Sequence, residues 1–296
     1  MAYETLIAAG DLRGWISSPP PGAPPLCIVD CRFDLANPQA GRHAYEAGHI
    51  PGARFADLNS DLSAPIGPTT GRHPLPEPAA FGATLCRWGV TPESQVVAYD
   101  AANSSFAARL WWLLRWVGHR RVAVLDGGYQ AWRAAGGALE YGAPPPASGA
   151  EEVAPEGIAG RAGAAPTVDT PTLAMVLHAP EHLIIDARAP ERYAGATEPI
   201  DSVAGHVPGA VNYPFSLNLA ADNTFLPAAE LRRRWLERLG GRDPAEVIAM
   251  CGSGVTACHN LLSLEIAGLP GAALYTGSWS EWIRDARRPV ARGESP

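Results

Sequence analysis

The chain has 296 residues, 47% hydrophobic and 18% charged, with a formal net charge of −7, which is long enough for two domains that each bury a core. All 23 basic residues are Arg and none is Lys, which excludes Schiff-base chemistry and a Lys-dependent phosphate loop; an acidic chain without basic clusters is also a poor nucleic-acid binder. No apolar run approaches membrane-spanning length and the N-terminus lacks a basic region followed by an apolar block, so no membrane segment, no secretory leader and a cytoplasmic location are expected.

The cysteines are Cys27, Cys31, Cys86, Cys251 and Cys258. An odd count without a pair of close-spaced pairs argues against a disulfide framework and against a zinc site, and no metal or organic cofactor is expected.

In chain order, residues 5–15 read as a short helix, followed by a Pro-rich connection and a strand over 26–31. Residues 59–78, rich in Pro, Gly and Thr, read as a long surface loop, and 78–88 as a helix. A buried strand at 95–100 leads to a helix at 106–117. A strand at 121–125 and Asp126-Gly-Gly-Tyr-Gln-Ala-Trp132 close this half. Residues 143–166 contain little but Ala, Gly, Pro and a few charges, a composition that buries little apolar surface. They read as a linker between an N-terminal domain, 1–142, and a C-terminal domain, 167–296.

The second half repeats the first. Leu183-Ile-Ile-Asp186-Ala-Arg188 answers Cys27-Ile-Val-Asp30-Cys-Arg32, and Val203-Ala-Gly-His206-Val-Pro-Gly-Ala210 answers Glu46-Ala-Gly-His49-Ile-Pro-Gly-Ala53. The strand into Cys251 answers the strand into Asp100, and Thr276-Gly-Ser-Trp-Ser-Glu-Trp282 answers the Asp126 segment, all at offsets of 150 to 157 residues. This predicts a duplicated α/β domain, each copy a mostly parallel sheet flanked by helices. Residues present in both halves (Asp30, Arg32, His49 and their counterparts) are expected to tie loops together.

The asymmetry lies at Cys251. A short apolar run ends at Met250, and Cys251-Gly-Ser-Gly-Val-Thr-Ala257 then leads into a helical pattern that Gly268 stops. A strand, a Cys, a Gly-containing loop and a helix start make an anion cradle, in which a thiolate is stabilised and becomes the better nucleophile. The alternative is a small buried Cys at a strand end. A Cys-dependent phosphatase would need an Arg six positions after the Cys, where this chain has Ala257.

These segments together resemble the tandem rhodanese family of thiosulfate and 3-mercaptopyruvate sulfurtransferases, across both halves of the chain. The Cys251 loop is similar to that of the 3-mercaptopyruvate branch; the thiosulfate branch usually has Arg and Lys at the positions of Gly252 and Ser253. The resemblance implies two tandem rhodanese-like domains, the first without the catalytic Cys. It also implies transfer of a sulfane sulfur from 3-mercaptopyruvate, through a Cys251 persulfide, to a thiol or cyanide. The implied partners are a small-molecule sulfur donor and an acceptor such as thioredoxin or a low-molecular-weight thiol. Implied catalytic residues are Cys251, Ser253, His73 and, as the acid beside His73, Asp61, with Asp57 the next candidate. Donor binding is implied for Arg192 and for the loop residues Gly252, Gly254, Val255 and Thr256. A second arginine used by some relatives is missing, Ile200 standing about where it would fall. A thiosulfate:cyanide sulfurtransferase and a non-catalytic rhodanese-like binding module are the alternatives.

Overall fold

The computed structural model describes residues 2–143, 162–177 and 179–296; residues 144–161 of the expected linker lie outside them. Contacts divide the chain into two units. The first comprises the described residues of 1–63, 76–165 and 221–225, the second those of 64–75, 166–220 and 226–296. Among the described residues no helix is long and apolar enough to cross a membrane.

The first unit is built on a five-stranded parallel sheet. Its strands are β1 (Leu6–Ile7), β2 (Leu26–Asp30), β3 (Arg54–Phe55), β4 (Gln95–Tyr99) and β5 (Val122–Leu125), in the spatial order β1-β5-β4-β2-β3. The run Val-Val-Ala-Tyr of β4 is buried throughout, as a central parallel strand covered on both faces must be. Helices α1 (Ala9–Ser17), α2 (Ala40–Glu46), α3 (Pro78–Arg87), α4 (Ala107–Trp116) and α5 (Gly128–Ala134) alternate with the strands. The expected helix over 5–15 therefore starts later: Leu6 and Ile7 pair with Val124 and Leu125, because two apolar residues gain more from closing the sheet edge than from a solvated first turn.

The second unit repeats this plan with β6 (Thr167–Val168), β7 (Leu183–Asp186), β8 (Val211–Asn212), β9 (Val247–Met250) and β10 (Ala273–Tyr275), in the order β6-β10-β9-β7-β8. Its helices are α6 (Thr170–Val176), α7 (Pro190–Tyr193), α8 (Ala228–Leu239), α9 (Ala257–Ile266) and α10 (Ser278–Trp282). Asp169 caps α6 by accepting the Thr172 N–H at 2.9 Å, with Pro171 in the first turn. Helix α8 buries Leu231, Trp235 and Leu239 at helical spacing, each contributing roughly 1.5–3 kcal/mol by area. Gly240 ends it in the left-handed region at φ 58°. A reciprocal cap between Asp243 and Glu246 then turns the chain into β9.

The repeated residues do tie loops together. Arg32 grips the Asp30 carboxylate through Nε and Nη2 and donates to the Gly48 carbonyl at 2.8 Å; Arg188 does the same to Asp186 and Gly205. His49 stacks on Tyr45 and His206 on Tyr193, both with ring centroids 3.8 Å apart. Trp132 and Trp282 are buried and each donates its indole N–H to a carbonyl beyond its own helix. Burial pushes the Cys27 thiol up to about 12 and the Cys31 thiol well above its ordinary value, which suits core residues rather than nucleophiles.

Candidate active site

Strand β9 lies between β7 and β10 and is fully buried, so its carboxyl end is fixed by parallel pairing on both sides. Cys251 is the next residue, at the strand ends where open α/β sheets bind ligands. Its N–H donates to Ser278 Oγ at 3.1 Å, its carbonyl accepts the Trp279 N–H at 3.0 Å, and the Gly252 carbonyl accepts the Ser280 N–H at 2.9 Å. The loop is thus sewn to the start of α10 before it curls back.

The curl brings two backbone donors onto the sulfur: Gly254 N lies 3.2 Å and Ser253 N 3.5 Å from Cys251 Sγ. Gly254 makes this possible at φ +77°, a conformation that a side chain would strain. Val255 is buried, Thr256 stands at the N-cap of the ten-residue α9, and the positive end of that helix adds to the cradle. Cys258, in the first turn of α9, donates its thiol to the Gly254 carbonyl at 3.3 Å, so it supports the loop. Cys251 itself is 2% exposed.

Ser253 faces His73: the hydroxyl oxygen and Nδ1 are 2.7 Å apart. The segment that carries His73 is not the surface loop expected from its composition. Ser280 Oγ accepts the Arg72 N–H at 3.0 Å, and Glu281 accepts the Gly71 N–H at 3.3 Å. A Cβ at Gly71 would fall 2.6 Å from the Gly277 carbonyl oxygen. His73, only 4% exposed, belongs with residues 64–75 to the second unit. Backbone hydrogen bonds to side chains of α10 hold this segment, so it lacks the apolar periodicity from which burial is read.

Asp61 lies in the first unit, where its carboxylate takes a hydrogen bond from Arg87 at 2.8 Å and one from the Asp57 N–H at 2.9 Å. Burial pushes it above the usual range, against the pull of the Asp57 N–H and Arg87. Asp57 accepts from the N–H groups of Asn59 and Ser60, which makes it a turn-former.

Arg192, on the short α7, brings its guanidinium near Gly252, in company that the sequence did not announce. Glu198 takes its Nε and Nη2 in two-pronged fashion, at 3.1 and 2.8 Å to Oε1, and Asp201 takes Nη2 at 3.1 Å. Arg72 pairs with the other oxygen of Asp201, and Arg188 Nη1 lies 3.5 Å from Glu198. Against burial, the Arg192 guanidinium and the N–H groups of Asp201 and Ile200 hold the Glu198 carboxyl below its usual range. Burial raises Asp201, opposed by Arg72. Trp279 is fully buried, with Arg188 over its ring and its indole N–H on the Val203 carbonyl.

A family model for the rhodanese-like domain matches residues 9–135 and again 171–285. The chain belongs to the rhodanese family. Within it, the chain is 48% identical to a probable 3-mercaptopyruvate sulfurtransferase of Pseudomonas aeruginosa, over 99% of this chain and 100% of that protein. It is 32% identical to the thiosulfate sulfurtransferase of Rattus norvegicus, over 99% of this chain and 97% of that one. Among solved structures, SseA of Escherichia coli, described as a 3-mercaptopyruvate sulfotransferase, matches with a TM-score of 0.74 at 30% identity, over 94% of this chain and all of that one. The rhodanese fold thus accounts for both units, and the two families of donor named among these relatives frame the choice of substrate.

Proposed function

We propose that this rhodanese moves a sulfane sulfur from 3-mercaptopyruvate to a thiol acceptor through a persulfide on Cys251. The observation that carries the reading is the uncharged cradle: two N–H groups on Sγ, and a Ser253 hydroxyl 2.7 Å from His73 beside it, with no cationic side chain in the loop itself.

The Cys251 thiolate attacks the donor sulfur, a sulfur–sulfur bond forms and the donor's carbon–sulfur bond breaks. The electron pair leaves on carbon as the enolate of pyruvate, which takes up the proton released from the donor thiol. Ser253 and His73 supply a path for that proton, a role for which a positioned histidine contributes roughly 10²–10⁴ in rate. The cradle N–H groups stabilise the negative sulfur before and after transfer. In the second step an acceptor thiolate attacks the outer sulfur, leaving as its persulfide and returning Cys251 as thiolate; cyanide would leave as thiocyanate. Arg192 takes the donor carboxylate, Gly252, Gly254, Val255 and Thr256 shape the loop around it, and Asp61 is the acid candidate for His73. Thioredoxin or a low-molecular-weight thiol as acceptor, in the cytoplasm, completes the reading.

Thiosulfate is the second reading, favoured by the guanidinium groups of Arg72 and Arg192 near Gly252, which could face a dianion. Steady-state kinetics with each donor and one thiol acceptor decide between them. A higher kcat/KM for 3-mercaptopyruvate, with pyruvate released and a 32-Da adduct on Cys251, supports the proposal; a higher value for thiosulfate overturns the choice of donor.

A further inference from the structure

We infer that Arg72 is the second guanidinium of the donor-carboxylate clamp, paired with Arg192 across Gly252, an inference that rests on the reaction proposed above. The position expected for a second arginine holds Ile200, which is uncharged and 40% exposed. The missing cation is supplied by the residue before His73. A Cβ built on Gly252 would lie 2.9 Å from Arg72 Nη2, and 3.5 and 3.6 Å from Arg192 Nη2 and Nη1. Both guanidinium groups therefore border the residue that follows the nucleophile. The donor carboxylate carbon is three bonds from the sulfur that Cys251 attacks, and successive Cα atoms are about 3.8 Å apart, so a carboxylate over Gly252 is at the right reach.

The commitments of the two side chains leave complementary edges. Arg192 spends Nε and Nη2 on Glu198 and Asp201, leaving Nη1 towards Gly252. Arg72 spends Nη1 on Asp201, while its Nε is buried without a hydrogen-bond partner among the described residues. The Nε–Nη2 edge is the one with which Arg32, Arg188 and Arg192 each grip a carboxylate elsewhere in this molecule. An unsatisfied buried donor is costly, and a donor carboxylate would complete it. Asp201, sharing its two oxygens between Arg72 and Arg192, holds the pair in register and cancels one of their charges. The same geometry explains Gly252: any side chain there would meet the clamp.

The test is Arg72→Gln, with Arg72→Lys beside it, measured with 3-mercaptopyruvate as donor and pyruvate as product inhibitor. Arg72→Gln is expected to raise the donor KM and the pyruvate inhibition constant about tenfold, with kcat within about threefold and the KM of the thiol acceptor unchanged. Arg72→Lys keeps the charge facing Asp201 but loses the two-pronged edge, and is expected to raise the donor KM at least threefold. It carries the test if the Gln variant does not fold. A donor KM raised less than threefold in the folded variant overturns the clamp. Failure of the wild-type chain to release pyruvate overturns the proposed reaction itself, and the two failures are thereby told apart.

Discussion

The loop after β4 and the loop after β9 are wired alike. In the first unit, Tyr129 N–H donates to the Asp100 carbonyl at 2.9 Å and Gln130 N–H to the Ala101 carbonyl at 3.1 Å; in the second, Trp279 and Ser280 do the same to Cys251 and Gly252. The difference is what fills the cradle. Asp100 Oδ1 accepts the N–H groups of Ala102 and Ser104, and Oδ2 those of Phe106 and Ala107, at 2.8–3.2 Å. The first unit has closed its anion site with its own carboxylate. The second turns the N–H groups of Ser253 and Gly254 onto the Cys251 sulfur. One copy has its loop donors taken by a buried carboxylate, whereas the other turns them onto a thiol sulfur.

That contrast can be broken most sharply at Cys251. Cys251→Ser keeps the cradle but replaces the thiolate by a poorly ionised hydroxyl, and kcat is expected to fall at least ~10³-fold, with the 32-Da adduct absent by mass spectrometry. Asp100→Ala attacks the other side of the comparison. It leaves four buried N–H groups without their acceptor and is expected to cost about 3 kcal/mol in denaturant unfolding, while KM for the donor stays at its wild-type value. Ser253→Ala cuts the contact to His73 and is expected to lower kcat about 10²-fold with little change in stability, read from steady-state kinetics and thermal melts.

The smallest effect is in pH. Glu198 has a folded-state pKa below its ordinary 4.5, so its contribution to stability is present above that value and is lost as the pH falls through the lower one. Thermal melts of the wild type and Glu198→Gln between about pH 6 and 3 should therefore converge towards acid; curves that stay parallel would remove Glu198 from the clamp's energetics.

Much of this was readable from the chain because repetition carries information. Two copies of Asp-x-Arg, of Gly-His-x-Pro-Gly and of the aromatic closing helix specify the sheets and their loop ties. The disagreement of Asp100 against Cys251 at the ends of matching strands is what drew the proposed site to Cys251. What stayed hidden lies where no period exists. Residues 59–78 have the composition of a surface loop, yet Gly71, Arg72 and His73 are held by side chains of Glu281, Ser280 and Ser253 some two hundred positions away. Arg72 and Asp201 give no signal, because an ion pair between distant loops leaves no spacing to count. The β1 pairing was missed for a related reason: two residues are too short a run to show alternation.

The membership of residues 64–75 in the second unit has a consequence for how the chain can be divided. A piece cut at residue 166 would carry Cys251, its loop and Arg192, yet would lack Arg72 and His73, because these are encoded between β3 and β4 of the first sheet. The second unit is therefore not a transferable module: recombination or truncation at the Ala-Gly-Pro stretch separates it from its own residues 64–75.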